Sequence, residues 1–418
     1  MITKGKVSIS FFALSQIVSA IWILIEAKLL IAQFGIDWYG ISVFINGILL
    51  LVIGILSFDV SKAIQMDLMN NGIKINRGKL KIYFILELIP PILALSFFII
   101  LLEYSWFTGD NWRLVIENYK VVLIYGLILV FRSSSNIWFS QKRYLNKLRV
   151  VSLATLVVVG LKILFWITPF FSPTLNSYLY IYLCIEFGRF LFEMYQLRIH
   201  LFDGLIRREI GVLSANEINF LKTTYVVSTT GSVVKKLDSV LIGSFLNSSE
   251  LATFKIVKMI AQSSNVLTAP LFNYLFIEFF GENPKLNFKY FKKLLSKWLW
   301  ILVIVIGVVI PIISFYAPRL LTFWNIDMDR SIIAPVFFGL FISEMIRNLF
   351  FWVFPSTIHI KKYKWYTNSA LISLLLGGLV YALGIWKFGF LGAGLFFFAW
   401  QLGTLYLFYK LLKNDANV

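Results

Sequence analysis

Apolar runs of about 20 residues recur along the chain, separated by short polar stretches. Wound as an α-helix, a run of this length crosses the hydrocarbon core of a bilayer, which is about 30 Å thick. The pattern predicts an all-α, polytopic membrane protein with about twelve transmembrane helices. The predicted spans are residues 8–33, 39–62, 82–102, 119–140, 150–171, 177–199, 221–246, 251–277, 295–316, 331–354, 366–386 and 390–410.

Basic residues are concentrated in every second loop between these spans. Loops rich in lysine and arginine stay on the cytoplasmic side, so this alternation places both termini in the cytoplasm. The chain is thus expected to be a multi-pass protein of the cell inner (cytoplasmic) membrane. The net charge of +18 follows the same loops, which makes membrane lipids the expected partners and argues against nucleic acid.

The longest cytoplasmic connection divides the predicted spans into two sets of six. It carries a helical stripe of apolar side chains beside arginines, which is typical of an amphipathic helix lying on the membrane surface. We therefore expect an N-terminal six-helix half at 1–200, a cytoplasmic amphipathic connector at 201–220 and a C-terminal six-helix half at 221–418. Two such halves around a central cationic cavity are an architecture of membrane transporters.

Composition and motifs argue against several kinds of chemistry. Of 418 residues, 59% are hydrophobic and only 14% are charged. Cys184 is the single cysteine, and the two histidines are far apart, so we expect no disulfide framework, no metal site and no cofactor. Neither a phosphate-binding GxxxxGK[ST] loop nor a Ser/His/Asp grouping can be assembled. The glycine-rich segment 389–394 opens a predicted span, where it predicts close helix packing.

Ionisable side chains lie deep inside several apolar spans. One ionised group at the bilayer centre costs about 2.5–3.5 kcal/mol on insertion scales, so such residues are retained for a reason. The span 251–277 has one polar helical face that includes Lys255 and Lys258, and it predicts the wall of a cavity that binds an anion. The alternative is buried hydrogen bonding between helices. The preceding span contributes Lys235, Lys236 and Asp238, where Asp238 can pair with Lys235 at i+3. We expect the two spans together to leave positive charge unmatched, Lys258 included.

Other deep charges differ in whether they can be neutralised within their own helix. Glu186, Arg189 and Glu193 follow one another at i, i+3 and i+7, and Glu344 and Arg347 are spaced i, i+3. Ion pairs at these spacings lie on one helix face, so both groups can satisfy themselves locally.

Arg132 has no acidic residue within one turn, and we expect it to contact cargo. Lys162 is also deep and has no acidic residue within one turn of its helix, but its face is not predictable. In the first span, Glu26 belongs to a polar stripe and is a candidate proton or sodium site, while Lys28 lies off that stripe. A polar packing seam is the alternative for the stripe.

The segment 235–245 (KKLDSVLIGSF), followed by 252–256 (ATFKI), resembles the polysaccharide repeat-unit flippases, the Wzx-type exporters of O-antigen and teichoic acid. These belong to the superfamily that includes the MATE drug exporters and the lipid II flippases. The resemblance covers essentially the whole chain in topology and is carried in motif by the starts of three helices. It implies that an undecaprenyl-diphosphate-linked oligosaccharide crosses from the inner to the outer leaflet by alternating access. The cavity residues that it implies are Lys28, Arg132, Lys235, Lys236, Lys255 and Lys258.

The same resemblance implies a cation gradient as the driver, with H⁺ or Na⁺ as candidate coupling ions and glycan polymerase machinery as a candidate partner. The candidate coupling-ion or ion-pair residues are Glu26, Asp238, Glu186, Glu344 and Arg347. Two alternatives stay open. A MATE-type drug or cation antiporter would carry a mostly cationic cargo and should have an acid-rich lumen. A polyprenyl-linked glycan polymerase or glycosyltransferase should have a larger outer domain than the loop at 103–118 provides.

Overall fold

A computed structural model provides the coordinates. It describes residues 2–57, 77–104, 110–144, 148–168, 174–197, 236–262, 310–350 and 362–415, together with residues 60, 64, 213, 218, 221, 225, 229, 233, 308 and 353. Most of the predicted connector 201–220, Lys235 and most of the predicted span 295–316 lie outside the described residues.

All the regular structure within these ranges is helical. Thirteen α-helices are described: α1 (Ile2–Phe34), α2 (Ile36–Leu56), α3 (Arg77–Tyr104), α4 (Asp110–Glu117), α5 (Tyr119–Tyr144), α6 (Leu148–Ile167), α7 (Leu175–Leu197), α8 (Ser248–Gln262), α9 (Ile310–Leu321), α10 (Arg330–Leu349), α11 (Tyr363–Ile372), α12 (Gly378–Leu395) and α13 (Leu402–Asp415). Residues 236–245 are helical as well.

Six stretches of the described chain are long and apolar enough to cross a membrane: Phe11–Phe34, Ile36–Leu56, Gly78–Ile100, Tyr119–Lys142, Leu148–Ile167 and Thr367–Lys413. The first five each coincide with one predicted span. The sixth covers both of the last two predicted spans. The hydropathy pattern thus predicted these membrane helices correctly, and the full count of twelve stays a prediction.

The chain divides into two compact units. The first unit comprises Met1–Trp22 and Phe44–Leu237. Its centre is α5, which packs against α3 on one side and α7 on the other. Aromatic side chains fill the contact: Tyr83 and Trp138 are almost fully buried, and the ring centroids of Phe131 and Phe190 are 5.4 Å apart. Buried rings remove large apolar areas and pack at defined angles, which fixes how these helices meet.

The second unit comprises Ile23–Val43 and Asp238–Val418. Here α10 packs against α8, α9 and α12. Small residues let the backbones of α10 and α12 approach closely: a Cβ atom on Gly394 would lie 2.4 Å from the Cα atom of Val336, and one on Gly339 would lie 2.4 Å from the carbonyl oxygen of Gly394. The close packing predicted for segment 389–394 is therefore confirmed.

Helix α12 is interrupted at Gly389, where φ is +58°. A residue with a side chain rarely adopts this backbone conformation, whereas glycine adopts it readily. Beyond this point the chain folds back, because a Cβ atom on Gly392 would lie 1.9 Å from the carbonyl oxygen of Gly384. The break falls between the last two predicted spans, 366–386 and 390–410, and separates them.

The turn between α1 and α2 contacts the start of α8 within the second unit. The Asp37 carboxylate accepts hydrogen bonds from the hydroxyls of Ser248 (2.6 Å) and Ser249 (2.7 Å). Gly40 lies so close that a Cβ atom there would be 1.9 Å from the carbonyl oxygen of Ser248. These contacts join residues more than 200 positions apart and hold residues 23–43 in the second unit.

Candidate functional site

In the first unit, an ionic cluster lies between the middle of α5 and the middle of α7. Arg132 donates through Nη2 to Glu186 Oε1 (2.6 Å) and to the hydroxyl of Tyr182 (2.5 Å). Arg189 lies 3.9 Å from the same glutamate and donates to Glu193 (2.8 Å). The predicted local pairing of Glu186, Arg189 and Glu193 is confirmed.

Glu193 is also fixed by α5. The hydroxyls of Ser134 and Ser135 donate to its carboxylate at 2.6 Å and 2.8 Å, and the carboxylate is fully buried. A buried carboxylate is tolerated only when its oxygens are paired and hydrogen-bonded, which Arg189 and the two serines achieve together. This arrangement locks α5 and α7 into one register.

In the arginine–glutamate pairs inside the predicted spans, the arginine is more exposed than the acid. The side chains of Arg132 and Arg189 are 39% and 25% exposed, whereas the acids that they contact are 1% exposed. In the second unit, Arg347 is 39% exposed and its partner Glu344 is 2% exposed. Each carboxylate is enclosed by protein, whereas each of these arginine side chains is partly exposed.

Two further contacts, one aromatic and one polar, lie near this cluster in the first unit. Lys162 of α6 places its ammonium 3.9 Å from the ring centroid of Tyr182. On the other side of α5, Asn136 donates to the buried Glu87 of α3 (2.6 Å). Both contacts join two different helices.

In the second unit, Lys258 of α8 forms a salt bridge with Asp238, and both side chains are buried. The ammonium also lies 5.0 Å from the ring centroid of Phe397. Asp238 therefore pairs across helices, and Lys235, which was the predicted partner, lies outside the described residues. The polar face predicted for α8 points at least in part into this protein interior.

One helical turn further along α8, Gln262 donates to Glu344 of α10 (3.1 Å). Glu344 also accepts from Arg347 (2.6 Å), so the predicted i, i+3 pair is confirmed. Next to it, Gln401 donates to the hydroxyl of Ser343 (3.2 Å). Polar side chains thus connect α8, α10 and the residues after α12 through the unit.

The remaining predicted site residues are distributed between the units. Lys28 is half-buried, with its ammonium 3.6 Å from the ring centroid of Phe323, and Glu26 on the same helix is buried. Lys255 is half-buried on α8, also in the second unit. Lys236 is half-buried in the first unit.

The expectation that Arg132 and Lys258 carry unmatched positive charge is wrong. Their partners, Glu186 and Asp238, are 54 and 20 residues away in the sequence and come from other helical segments. Arg132, with Tyr182 and Lys162, nevertheless forms a group that sequence reasoning missed. Tyr182 carries no sequence signal of its own, because a tyrosine in an apolar span is unremarkable until its neighbours are known.

Solved structures with the same fold span nearly the whole chain. An outward-facing multidrug resistance MATE family transporter of the MOP superfamily has a TM-score of 0.67 at 14% identity, over 99% of this chain and 96% of that one. An inward-facing one has a TM-score of 0.63 at 14% identity, over 97% and 95%. The Vibrio cholerae MATE transporter VcmN in its bent form has a TM-score of 0.62 at 12% identity, over 98% and 96%. No protein-family model and no curated sequence matches the chain.

The fold is that of the MATE family transporters of the MOP superfamily, and the chain is a multi-pass membrane protein. At 12–14% identity the likeness defines the fold alone.

Proposed function

We propose that this protein is a flippase that moves an undecaprenyl-diphosphate-linked oligosaccharide repeat unit from the inner to the outer leaflet of the cytoplasmic membrane by alternating access. The fold supports a transporter, because related structures are known in both outward-facing and inward-facing conformations. The nature of the cargo is argued from the ionic clusters.

The observation that carries this proposal is the exposure of the arginines over their buried acids. Arg132 and Arg189 lie near the middle of α5 and α7, each within a predicted span, and are partly exposed. A charged group in contact with lipid at that depth is costly, so an aqueous pathway is the favourable surrounding for both. In such a pathway a solute would meet the partly exposed arginine side chains and not the enclosed carboxylates. Arginine forms strong, charge-assisted hydrogen bonds with phosphate oxygens, which suits a diphosphate cargo.

A MATE-type drug or cation antiporter is the second candidate, because the similar structures include multidrug resistance transporters. A cationic cargo needs accessible carboxylates. Glu186, Glu193 and Glu344 are enclosed, which favours an anionic cargo instead. A glycan polymerase or glycosyltransferase is less well supported, since the similar folds are those of transporters.

The proposal includes the full architecture expected from the sequence: twelve spans in two halves, with both termini in the cytoplasm. Lys28, Lys235, Lys236 and Lys255 are further candidates for contacts with the cargo. H⁺ or Na⁺ is the proposed coupling ion. Because Asp238 forms a buried ion pair, it serves coupling only if that pair opens during the cycle. Glycan polymerase machinery is a proposed partner.

Proteoliposomes test the cargo directly. Purified protein is reconstituted with a fluorescent undecaprenyl-diphosphate oligosaccharide, and its access to an outside quencher is followed; uptake of a cationic dye is measured in parallel. Flipping of the lipid without dye transport supports the proposal. Dye transport without flipping supports the antiporter and refutes the flippase.

A matched pair of variants tests whether Arg132 contributes to cargo binding. Arg132→Gln should slow flipping by about tenfold or more, since a charge-assisted hydrogen bond contributes roughly 1.5–3 kcal/mol. Arg113→Gln is the control, because Arg113 also pairs with a glutamate, Glu117, but both are exposed on α4 outside the predicted spans. Equal rates for the two variants would contradict a role for Arg132 in cargo binding.

A further inference from the structure

Lys162 and Tyr182 form a group with Arg132 that the proposed function has not yet used. The ammonium of Lys162 lies over the face of the Tyr182 ring at 3.9 Å, and the hydroxyl of Tyr182 is bonded to Arg132 at 2.5 Å. The ring face of Tyr182 thus contacts a lysine from α6, and its hydroxyl contacts an arginine from α5. Two cations are brought together with Glu186 as the acid bonded to Arg132.

The tyrosine is held rigidly by other rings. Tyr182 stacks on Tyr178 with an interplanar angle of 15° and a centroid distance of 5.9 Å, and Tyr178 packs on Trp166 at 5.9 Å. These aromatic contacts run from α6 to α7. They fix the ring plane, and with it the place of the lysine that lies above it.

Hydrogen-bond donors in this group are left over. Arg132 uses Nη2 for its two bonds, and its buried Nε atom has no acceptor within the described part of the chain. The buried indole Nε1 of Trp166, at the far end of the stacked rings, also lacks an acceptor among the described residues. Buried polar atoms are nearly always satisfied in folded proteins. Glu186 Oε2 also lacks a donor among the described residues, but the cations Lys162 and Arg132 lie beside this one acid, so the group favours an oxygen ligand that carries negative charge.

We propose that Lys162, Tyr182 and Arg132 form an oxyanion-binding subsite in the first unit, with Tyr178 and Trp166 as its rigid support. Lys162 supplies charge, and Tyr182 positions both cations. The subsite rests on the proposed function for its cargo, and two sources of the oxyanion fit it: the diphosphate of the lipid carrier, or the carboxylate of an acidic sugar in the glycan.

Binding by the purified full-length protein separates these sources. Two probes are titrated in detergent: geranylgeranyl diphosphate, and an alkyl glucuronide with the matching neutral alkyl glucoside as its blank. Lys162→Met should weaken binding of one probe by about tenfold, which is the effect of losing one charge-assisted contact. Loss of the diphosphate alone assigns the subsite to the carrier, and loss of the glucuronide alone assigns it to the sugar.

Two variants keep the test independent of folding. Lys162→Arg keeps the charge and should retain most of the affinity. Tyr182→Phe keeps the stacked ring but removes the hydroxyl bonded to Arg132, and should weaken the same probe. The control is Lys387→Met, which removes an exposed lysine that also lies beside a ring, 5.4 Å from the centroid of Phe388.

Wild-type affinity of Lys162→Met and Tyr182→Phe for both probes overturns the subsite, as does an equal loss in Lys387→Met. This failure is distinct from failure of the proposed function. If the wild type flips the labelled lipid while Lys162→Met binds both probes normally, the flippase proposal stands and the subsite proposal is refuted. If probe binding depends on Lys162 but the wild type does not flip the lipid, the subsite proposal stands and the flippase proposal is refuted.

Discussion

Removing one member of the buried pair between Lys258 and Asp238 should destabilise the protein, and removing both should restore it. The side chains are 8% and 1% exposed, so water does not screen the pair. In Lys258→Met the carboxylate is left in the interior without its cation. In the double variant Lys258→Met/Asp238→Leu no charge remains, and the apolar side chains fill a similar volume.

The magnitude follows from that burial. Breaking a buried ion pair by removing one partner costs about 3–5 kcal/mol, whereas replacing the pair by apolar residues is neutral or stabilising. In membrane proteins the unfolded state also finds polar partners, which lowers the cost. We therefore expect each single variant, Lys258→Met and Asp238→Leu, to lose about 3 kcal/mol, and the double variant to lie within about 1 kcal/mol of wild type.

The assay is unfolding of the purified protein by a titration with SDS, followed by tryptophan fluorescence and combined into a double-mutant cycle. Lys387→Met serves as the control, since that lysine is exposed. The reasoning is refuted if Lys258→Met unfolds at the same SDS concentration as the control. It is equally refuted if the double variant is less stable than both single variants, because then the two charges do not depend on each other.

Two further predictions concern the contact between the α1–α2 turn and α8. Gly40→Ala should lower the thermal unfolding midpoint and the yield of folded protein, because the added Cβ atom would lie 1.9 Å from the carbonyl oxygen of Ser248. Gly160→Ala is the control, because nothing lies within 4 Å of its Cβ atom. It should be neutral or stabilising by up to about 1 kcal/mol. Asp37→Ala should cost about 1–2 kcal/mol in the same assay through the loss of two hydroxyl hydrogen bonds, and the combined replacement of Ser248 and Ser249 by alanine should cost no more; additive losses in the triple variant would contradict a shared contact.

Hydropathy was sufficient to predict the membrane helices in the described ranges, because the cost of exposing backbone polar groups to lipid forces long apolar segments to be helical. The close packing of the glycine-rich segment 389–394 was also predictable, since small side chains in a membrane helix indicate close packing. The contact between the turn at Asp37 and the start of α8 was not predictable in this way. It depends on where two distant turns meet, which no local pattern encodes.

In the candidate site, ion pairs within one helix were predictable from the sequence, whereas ion pairs between helices were not. Glu344 and Arg347 were predicted as a pair because a helix places residues i and i+3 side by side. Arg132 and Lys258 were expected to lack acidic partners because no acid lies within one turn of either. Their actual partners lie on neighbouring helices, so pairing could be recognised only after the arrangement of helices was known.

The sharp reversal at Gly389 limits how the orientation of this protein in the membrane can be mapped. The backbones on either side touch within a few residues of the turn, as the approach of Gly392 to the Gly384 carbonyl oxygen shows. An epitope tag or reporter domain inserted there would have to force the two helices apart. Helix α4 exposes Arg113 and Glu117 and buries Val115 between them. Reporter fusions should therefore be placed beside the exposed Arg113 and not at Val115, so that loss of signal reports the side of the membrane and not a damaged fold.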